Sequence, residues 1–582
     1  MAGIYGVLHV GKQALLTHQE ALNVTAHNIA NVNTPGYSRQ RVVVETTTPI
    51  TTGAGQVGSG VTVSGIERVY DRYINNQISN ENETLGRWEA EKGGVERVEV
   101  VFNETSGYGL NAAMSEFWNG WQDLANNPSG HTERETLLAK GEFLADSFQQ
   151  TYNDLSAVRT ELDNSISQTV SQINVKAAQI ADLNQKIVRI EANGDSANDY
   201  RDKRDVVLKE LSLMIDITAS EQNSGSVTVT LGDGNKLVDG STSPDLSTMT
   251  NSAGFRDVVW DSAPTTSINS SISGGKLKGW LEVRDVTIPE YLENMEDLVN
   301  SIKGVEATKV TAVAASELSG GEYFTLSSPT DDYYVWYDID GSVDPEIADH
   351  TEIEVGILAT DTAEQVATKT AAAIAAFDGG AVFDAPTPEG TTLTITNTVA
   401  GAATDSADGL APTGFTITTL TDGGNGVNTI HMGGYGLDGS TGNDFFTGTL
   451  GGNDLGVASA ISGDVNMIAA SGTSDGVPGD NSNAISIANL QNTLTMNGNT
   501  DTFDDYYNSV VSSVGREVQQ ANSRYDHQYS MVAYLGNYRE SISGVSLDEE
   551  MLNMLQIESA YEAAAKLISK VDEMLQTLMG MI

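Results

Sequence analysis

The sequence predicts a multidomain α and β protein. We expect a discontinuous elongated subunit with paired N- and C-terminal coiled-coil helices, a long-helix bundle domain, and outward β-rich domains including an inserted α+β module. The chain has 582 residues, which at about 150 residues per domain allows about four structural units. Apolar heptads occupy both ends of the chain. Between the helical parts, the apolar pattern changes to short alternating runs separated by glycine, asparagine and serine.

The C-terminal segment carries an a/d seam of about five heptads. One set of apolar residues recurs every seven positions, namely Leu547, Met554, Tyr561, Ile568, Leu575 and Ile582. A second set follows three residues after the inner members, namely Ile557, Ala564, Val571 and Leu578. This spacing places both sets on one face of a helix, as in a coiled coil.

The N-terminal segment repeats the same spacing with weaker companion positions. Its heptad residues are Leu8, Leu15, Leu22 and Ile29. An apolar stripe on an isolated helix is a binding surface or an aggregation hazard, and packing on the protein's own core is the ordinary alternative. Because both termini carry a seam, we expect them to pair with each other.

Three further segments show helical periodicity. Residues 143–190 predict a rod in which Phe148, Leu155 and Leu162 are spaced by heptads, and residues 506–535 predict another bundle helix. A shorter helix is predicted at 288–303, opened by Pro289 in its first turn.

The middle of the chain predicts strands. Residues 217–278 contain short alternating runs with turn residues between them, as small β-domains do. Residues 304–426 predict a separate α+β module with its helix at 362–377. This module has Lys309 and Lys369 as its basic residues and many more acidic ones, so we expect it to face solvent.

These patterns give four predicted domains. The terminal coiled-coil domain combines 1–31 with 547–582. The helical-bundle domain, with a β-hairpin, combines 32–216 with 286–303, 427–450 and 490–546. The β-rich domain combines 217–285 with 451–489, and the inserted acidic module is 304–426.

Composition excludes several classes of protein. The chain has 31 basic and 79 acidic residues and a formal charge of −48, which repels phosphate backbones and anionic lipid headgroups. We therefore expect no nucleic-acid partner, and the lack of a long apolar run predicts no membrane insertion. The absence of cysteine excludes disulfides, thiolate metal sites and cysteine nucleophiles.

Candidate chemical motifs receive little support. Gly53, Gly55 and Gly58 match a dinucleotide-binding pattern, but a strand pattern follows them, so a hairpin connection is favoured over a phosphate loop. Asp338 to Gly341 is similar to the start of a calcium loop whose glycine comes too early, so a solvated turn is favoured and a loose calcium site is the alternative. The histidines include no pair spaced for a helical metal site, and no serine lies in a nucleophile elbow. We expect no enzymatic activity and no cofactor.

Residues 22–40, LNVTAHNIANVNTPGYSRQ, resemble the N-terminal signature of the bacterial flagellar rod, hook and hook-associated proteins. The ending at 34–40 is most similar to hook-associated members. Residues 547–556 and 559–566 resemble the C-terminal helix of the same family, and 434–446 add a further match. Pro35 would stop the first helix and bias Thr34 to an extended conformation, and Gly36 would permit the turn into a strand. The segment 304–426 departs from the family pattern.

The resemblance implies a structural subunit of an axial fibre. It implies an inner tube of paired terminal helices, a role at the junction between hook and filament, and helical self-assembly in a ring. The implied partners are the hook protein, a second junction protein, other copies of the chain and a cytoplasmic export chaperone at the C-terminal seam. The implied location is extracellular, on the flagellum, after export without a cleavable signal peptide. We expect the termini to be poorly ordered before incorporation.

The resemblance also implies the assembly residues. The N-terminal set is Leu8, Leu15, Leu22, Ile29, Asn28, Asn31, Thr34, Pro35, Gly36, Tyr37 and Ser38. The C-terminal set, for assembly and chaperone binding, is Leu547, Met554, Ile557, Tyr561, Ala564, Ile568, Val571, Leu575 and Leu578.

Three other functions remain open at this point. One is a different rod or hook axial protein, which residues 34–40, the chain length and the long helix at 143–190 disfavour. Another is a surface adhesin whose function lies in the acidic module. A secreted hydrolase is the third, and the sequence identifies no pair of carboxylates as its catalytic groups.

Overall fold

The computed structural model describes residues 4–52, 55–103, 109–384, 386, 388–421 and 423–580. Its α-helices are α1 Ile4–Ala30, α2 Arg72–Phe102, α3 Leu110–Asn126, α4 His131–Glu191, α5 Asn198–Ser212, α6 Gly275–Glu282, α7 Ile288–Lys303, α8 Ala363–Ala376, α9 Val427–Gly433, α10 Ser459–Gly463, α11 Ser482–Asn489, α12 Phe503–Ser543 and α13 Leu547–Gly580.

The strands form small sheets. They are β1 Gln40–Thr46, β2 Ile50–Thr52, β3 Gly55–Val57, β4 Val61–Arg68, β5 Thr218–Glu221, β6 Val227–Thr230, β7 Lys236–Val238, β8 Leu246–Thr250, β9 Arg256–Trp260, β10 Ala263–Ser267, β11 Ala307–Thr311, β12 Tyr323–Ser327, β13 Asp332–Ile339, β14 Thr351–Ile357, β15 Pro388–Glu389, β16 Thr392–Thr396, β17 Ala407–Asp408, β18 Thr416–Thr421, β19 Phe446–Thr447 and β20 Gly456–Val457.

The two terminal helices lie against each other. Helix α1 packs along α13 and also contacts β1 and β4, which pair antiparallel with a bulge between Val43 and Val44. Strands β2 and β3 form the tip of this ribbon. The glycine-rich segment is therefore a hairpin connection, as its sequence predicts. Gly53 lies outside the described residues.

The main core lies between α2, α3, α4, α7 and α12. Phe117, Trp118 and Trp121 of α3 are buried in it, and Trp118 stacks on Phe503 of α12 with ring centroids 5.7 Å apart. Aromatic side chains of this size dominate core energetics, since fully burying one removes a large apolar area from water. This aromatic cluster joins helices from the two halves of the sequence.

Helix α4 links two cores. Its heptad residues Phe148, Leu155 and Leu162 are buried in the main core. Ile166, Ile173 and Ile180 further along the helix pack in a second core with α5 and the sheets β5-β6-β7 and β8-β9-β10. The predicted rod is confirmed, although it begins at His131, well before the predicted start at Phe143.

The helix predicted at 288–303 is α7, Ile288–Lys303, and other helical turns directly precede it. Residues from Gly275 to Lys303 form α6, a π-helical turn at Val283–Thr287 and α7 without a break. Pro289 follows the π-helical turn, where its missing N–H costs less than in a regular helix. Pro289 thus lies in the first turn of α7, as predicted, and α7 continues a helical segment that starts at Gly275.

The inserted segment has its own core between two four-stranded sheets, β15-β16-β11-β18 and β14-β13-β12-β17, with α8 beside them. It leaves the bundle at Gly304, which has a φ of 83°, and returns at Gly426. A Cβ atom on Gly426 would lie 2.1 Å from the Gly304 nitrogen. The backbone segments that leave and re-enter the bundle are therefore in contact, and we call this place the neck. Such close backbone approach requires glycine.

The architecture is mixed helical and β, with long terminal helices and several small sheets, and in these respects the fold class predicted from the sequence is confirmed. The four domain boundaries stay predictions. Among the described residues, no helix is long and apolar enough to span a bilayer.

Candidate assembly site at the junction of the termini

The segment after α1 turns sharply at Pro35 and Gly36. The Tyr37 N–H donates to the Thr34 carbonyl oxygen at 3.2 Å, which closes a four-residue turn. Gly36 has a φ of 79°, as the third residue of a type II turn requires, and proline suits the position before it. A Cβ atom on Gly36 would lie 2.2 Å from Val206 Cγ2. Thr34 and Pro35 are exposed, and the chain continues into β1 as predicted.

Asn28 is the centre of a buried polar cluster. It is 1% exposed, and its Nδ2 donates to the Gln40 carbonyl oxygen at 2.9 Å and to Glu550 Oε2 at 3.1 Å. Its Oδ1 accepts from the Tyr37 hydroxyl at 2.8 Å and from the Gln40 N–H at 2.9 Å. One side chain thus joins α1, the turn, β1 and α13, and we call it the Asn28 node.

Burial shapes the chemistry of Tyr37. Loss of hydration raises the pKa of its phenol above the ordinary value, and Asp199, Asp202 and Glu550 raise it further. The hydroxyl therefore stays protonated and can donate to Asn28.

The turn is also attached to α5. The Ser38 N–H donates to Asp202 Oδ2 at 2.8 Å, and Asp202 Oδ1 lies 2.6 Å from Arg68 Nη1. Arg68 also reaches Asp205 at 2.8 Å. Burial raises the pKa of Asp202, whereas Arg68 opposes this change. A buried ion pair of this kind strongly favours one geometry, because either charge alone would be costly.

The end of α12 completes the junction. The Arg39 N–H donates to the Ser543 carbonyl oxygen at 2.8 Å, and Arg539 Nη2 donates to the Gly36 and Tyr37 carbonyl oxygens at 3.0 and 3.2 Å. Arg39 Nη1 also lies 2.7 Å from Glu549 Oε2 on α13. The link between α12 and α13 is therefore held at the same place as the turn after α1.

The predicted C-terminal seam lies towards α1. Ala564 and Val571 are buried, and the half-buried members are Met554, Ile557, Tyr561, Ile568 and Leu575. A Cβ atom on Gly11 of α1 would lie 3.0 Å from Ile568 Cγ1, so the two helices approach closely there. Leu547 is exposed, and nothing is described of the Leu578 side chain.

The predicted N-terminal seam is incompletely covered. Leu8, Leu15, Leu22 and Ile29 are all half-buried. The buried positions of α1 are Gly11, Thr17, Val24, Thr25 and Asn28, which a heptad pattern of large apolar residues does not identify. Asn31 is half-buried, and its amide donates to the His27 carbonyl oxygen at 3.0 Å.

A second apolar face of α13 is exposed. Met551, Leu552 and Leu555 are each more than half exposed, near the start of the helix. They lie outside the heptad seam, so the seam prediction omitted them. An exposed apolar group therefore lies close in sequence to Glu550, which binds Asn28.

Sequence reasoning missed several members of the junction. Glu550 lies within the segment 547–556, which resembles the family's C-terminal helix. The sequence did not predict its hydrogen bond to Asn28. Asp202 and Arg539 belong to no motif and are brought to the turn only by the fold.

In the described ranges, no group of three His, Asp or Glu side chains could hold a metal ion. At the turn that resembles a calcium loop, Asp338 Oδ1 accepts the Ser342 N–H at 2.5 Å, which agrees with the solvated-turn interpretation. A cleft of about 890 Å³ lies between the bundle and the inserted segment, and Arg159, Glu293 and Lys309 are among the residues that line it.

Comparisons with known proteins relate the chain to flagellar families. Residues 95–310 match the family described as flagellar hook-associated protein FlgK helical domain. Residues 8–37 match flagella basal body rod protein, and residues 539–581 match flagellar basal body rod FlgEFG protein C-terminal.

Curated relatives align along the whole chain. The flagellar hook-associated protein 1 of Bacillus subtilis is 26% identical over 595 aligned residues, covering 100% of this chain and 99% of that protein. The proteins of the same name from Escherichia coli and Salmonella typhimurium are 26% and 27% identical, with 97% of each chain covered. The solved structure of the flagellar hook junction protein FlgK from Burkholderia pseudomallei aligns with a TM-score of 0.47 and 17% identity, covering 80% of this chain and 100% of that one.

Proposed function

We infer, from the chain's membership of the flagellar hook-associated protein 1 family, that it is the structural junction between the hook and the filament of a bacterial flagellum. A structural role in the flagellum follows from the relatives themselves. The position between hook and filament, and assembly through the terminal helices, are our proposal.

The Asn28 node carries this proposal. It connects the signature turn to both terminal helices, so the orientation of the α1–α13 pair is fixed relative to α5 and α12. The pair itself keeps half-buried heptad residues and the exposed residues Met551, Leu552 and Leu555. In a ring of identical copies, heterologous contacts can cover such faces. The node would then set the orientation of the apolar faces of α1 and α13 that neighbouring copies cover.

The proposed partners follow from this arrangement. The chain contacts other copies of itself, the hook protein on one side and the second junction protein on the other. Before export, a cytoplasmic chaperone covers the C-terminal seam as a groove covers an amphipathic helix. The chain then acts outside the cell, on the flagellum, and performs no enzymatic step.

The four predicted domains serve this role in the proposal. The paired termini form the inner tube, the helical bundle surrounds it, and the β-rich domain and the acidic module lie outside.

The experiment is electron microscopy of cells that lack this protein. We expect bare hooks and filament subunits released into the medium, and re-expression of the chain should restore attached filaments. Filaments that stay attached to hooks in its absence would contradict the junction role.

Surface adhesion is the second candidate. The inserted segment has a separate core and exposes apolar side chains such as Val343 and Leu410. Loss of attachment to surfaces, with normal filaments, after removal of this segment would favour adhesion.

A further inference from the structure

One face of α12 carries cationic and aromatic side chains towards solvent. Its residues follow each other at helical spacing of three and four positions and are all exposed: Arg516, Gln520, Ser523, His527, Met531, Tyr534 and Tyr538. Arg524 lies at its edge, where it pairs with Glu91 at 3.1 Å. We call this set the basic-aromatic stripe.

The stripe is unusual in so acidic a chain. The carboxylates of α12 within this length are Glu517, Asp526 and Glu540, and their positions in the helical repeat place them on other faces. Tyr534 and Tyr538 stack with ring centroids 6.5 Å apart, and they are 65% and 48% exposed. Exposed tyrosine, methionine and arginine together are the composition of protein interfaces.

One face of α4 has the opposite charge. Its exposed carboxylates are Glu135, Glu142, Asp146, Asp154 and Glu161, which recur at helical spacing along the first half of the helix. Phe143 lies among them with half of its side chain exposed. We call this set the acidic stripe. The nearby Lys140 points to α3, where it pairs with Glu116 at 3.0 Å.

The two stripes cannot meet within one molecule. The buried face of α12, with Val514, Val518 and Leu535, packs towards α2, and the buried face of α4 packs towards α3 and α7. Helices α2 and α3 each contact both α4 and α12 and so lie between them. Each stripe therefore faces away from the shared core, in its own direction.

We propose that the basic-aromatic stripe of one copy docks on the acidic stripe of the next copy. The contact is heterologous, so it can be repeated around a ring, as the proposed junction role on which this inference rests requires. Chains with a charge of −48 repel each other at long range, and a local patch of complementary sign allows one orientation to overcome this repulsion.

The spacing of the stripes agrees with this docking. Arg516 and Arg524 are separated by two helical turns, about 12 Å at the rise of an α-helix, and so are Asp146 and Asp154. In an antiparallel arrangement that places Arg516 on Asp154 and Arg524 on Asp146, the next aromatic groups also meet, because His527 lies three residues after Arg524 and Phe143 three residues before Asp146.

A cysteine crosslinking experiment tests the contact, because the natural chain has no cysteine. The double variant His527→Cys with Phe143→Cys is produced as the only copy in cells, and flagella are isolated and oxidised. We expect a ladder of disulfide-linked chains above the dimer. Each single variant should stay monomeric, since a heterologous contact never brings two copies of the same position together.

The control variant pairs His527→Cys with Leu410→Cys, a 98% exposed position on the inserted segment. It should give no ladder. A ladder in this control, or dimers from either single variant, would overturn the proposal. Flagella that contain the chain but give no ladder with the double variant would overturn the stripe contact while leaving the junction role intact. Absence of the unmodified chain from flagella would overturn both.

Charge reversal provides a second readout that does not depend on cysteine. Arg516→Glu should lower the fraction of hooks that carry filaments at least tenfold, and Asp154→Lys in the same chain should restore most of it. Both positions are exposed, so folding, measured by circular dichroism, should not change. A normal filament fraction in Arg516→Glu, or a loss that Asp154→Lys does not repair, would contradict the contact.

Discussion

Asn28 satisfies a backbone carbonyl, a backbone N–H, a phenol and a carboxylate with one buried amide. Asparagine is suited to this position because its side chain carries a donor and an acceptor at once. Removal of the amide leaves Glu550 and Tyr37 buried without this partner, and each unsatisfied group costs about 1–3 kcal/mol.

We therefore expect Asn28→Ala to lower the free energy of unfolding by about 2 kcal/mol or more and to loosen the turn at Pro35. Denaturant unfolding of the full chain measures the first effect, and proteolysis near the turn measures the second. Asn23→Ala, on the exposed side of α1, is the matched control and should change little. Equal stability of the two variants would contradict the role given to Asn28.

Asp297 of α7 responds to pH. Burial, together with the neighbouring Glu293 and Glu296, raises the pKa of this carboxyl from 3.8 to about 8, against an opposing effect of Lys309. Its Oδ1 is buried and has no hydrogen-bond partner among the described residues, which suits a protonated group. The pKa of Asp297 is higher in the folded state than in the unfolded state, so the stability that the neutral carboxyl contributes is fully present below pH 3.8. This stability is lost as the pH rises through about 8.

We expect the thermal midpoint of the natural chain to fall as the pH rises from about 5 to about 9, and to fall less in Asp297→Asn. Asparagine keeps the size of the group and removes its ionisation. Thermal unfolding followed by circular dichroism at several pH values provides the comparison. Identical pH dependence in both proteins would show that Asp297 does not titrate in this range.

At the scale of the helix, the seam of α13 can be tested against its own neighbouring positions. Ile568 and Leu575 lie towards α1, whereas the adjacent Ser569 and Gln576 are exposed. A carboxylate on the seam must lose hydration where the helices meet, at a cost of about 1–3 kcal/mol per site.

We expect the double variant Ile568→Asp with Leu575→Asp to abolish filament attachment, while the circular dichroism of the central domains stays normal. The double variant Ser569→Asp with Gln576→Asp adds the same charge on the same turns and should keep the α1–α13 pair. Motility assays and electron microscopy give the readout. Normal motility of the seam variant would remove the argument for assembly through the termini.

Heptad spacing predicted the long elements well and the contacts between them less well. Phe148, Leu155 and Ile173 of α4 are buried as their spacing predicts, because a strict repeat defines one face of a helix. The actual buried face of α1 includes Gly11, Thr17 and Asn28, since close packing against α13 and β1 favours small and polar residues there. Large apolar residues alone therefore do not locate this interface.

At the scale of the molecule, the inserted segment is a detachable unit. Its two ends meet at Gly304 and Gly426, and its side-chain links to the bundle include Lys309 with Glu293 at 2.6 Å and Arg159 with Glu389 at 2.6 Å. The pair of Lys309 with Glu293 is partly exposed and contributes little to stability, typically below about 1 kcal/mol. Arg159 is buried, and without Glu389 it keeps its hydrogen bond to the Arg284 carbonyl oxygen.

We expect removal of 305–425, with Gly304 joined to Gly426, to leave a folded, exported chain that still attaches filaments. Calorimetry should show loss of one transition and little change in the rest. Loss of filaments with a folded, exported chain would give the segment a role in assembly that this account does not include.

The sequence predicts much of the architecture and only part of the junction. The signature at 22–40 located the turn, and Gly36 and Pro35 have the conformations that their chemistry requires. The ion pair of Arg68 with Asp202 and the contact of Arg539 with the turn join residues far apart in the sequence. No spacing rule connects such residues, because only the packing of α5 and α12 against β4 and α1 brings them together. The acidity of the inserted segment was evident from composition, but its two-sheet core and glycine neck were not.

Hydrogen–deuterium exchange of the full chain, free in solution and incorporated into flagella, tests the central claim most directly. The account predicts fast exchange in the free chain of the backbone amides in the parts of α1 and α13 that lie away from the Asn28 node. Incorporation should protect these amides strongly, with little change at the node and in the core around Trp118. Equal protection of both terminal helices in the free and incorporated chain would contradict it, because contacts with neighbouring copies would then not stabilise these helices.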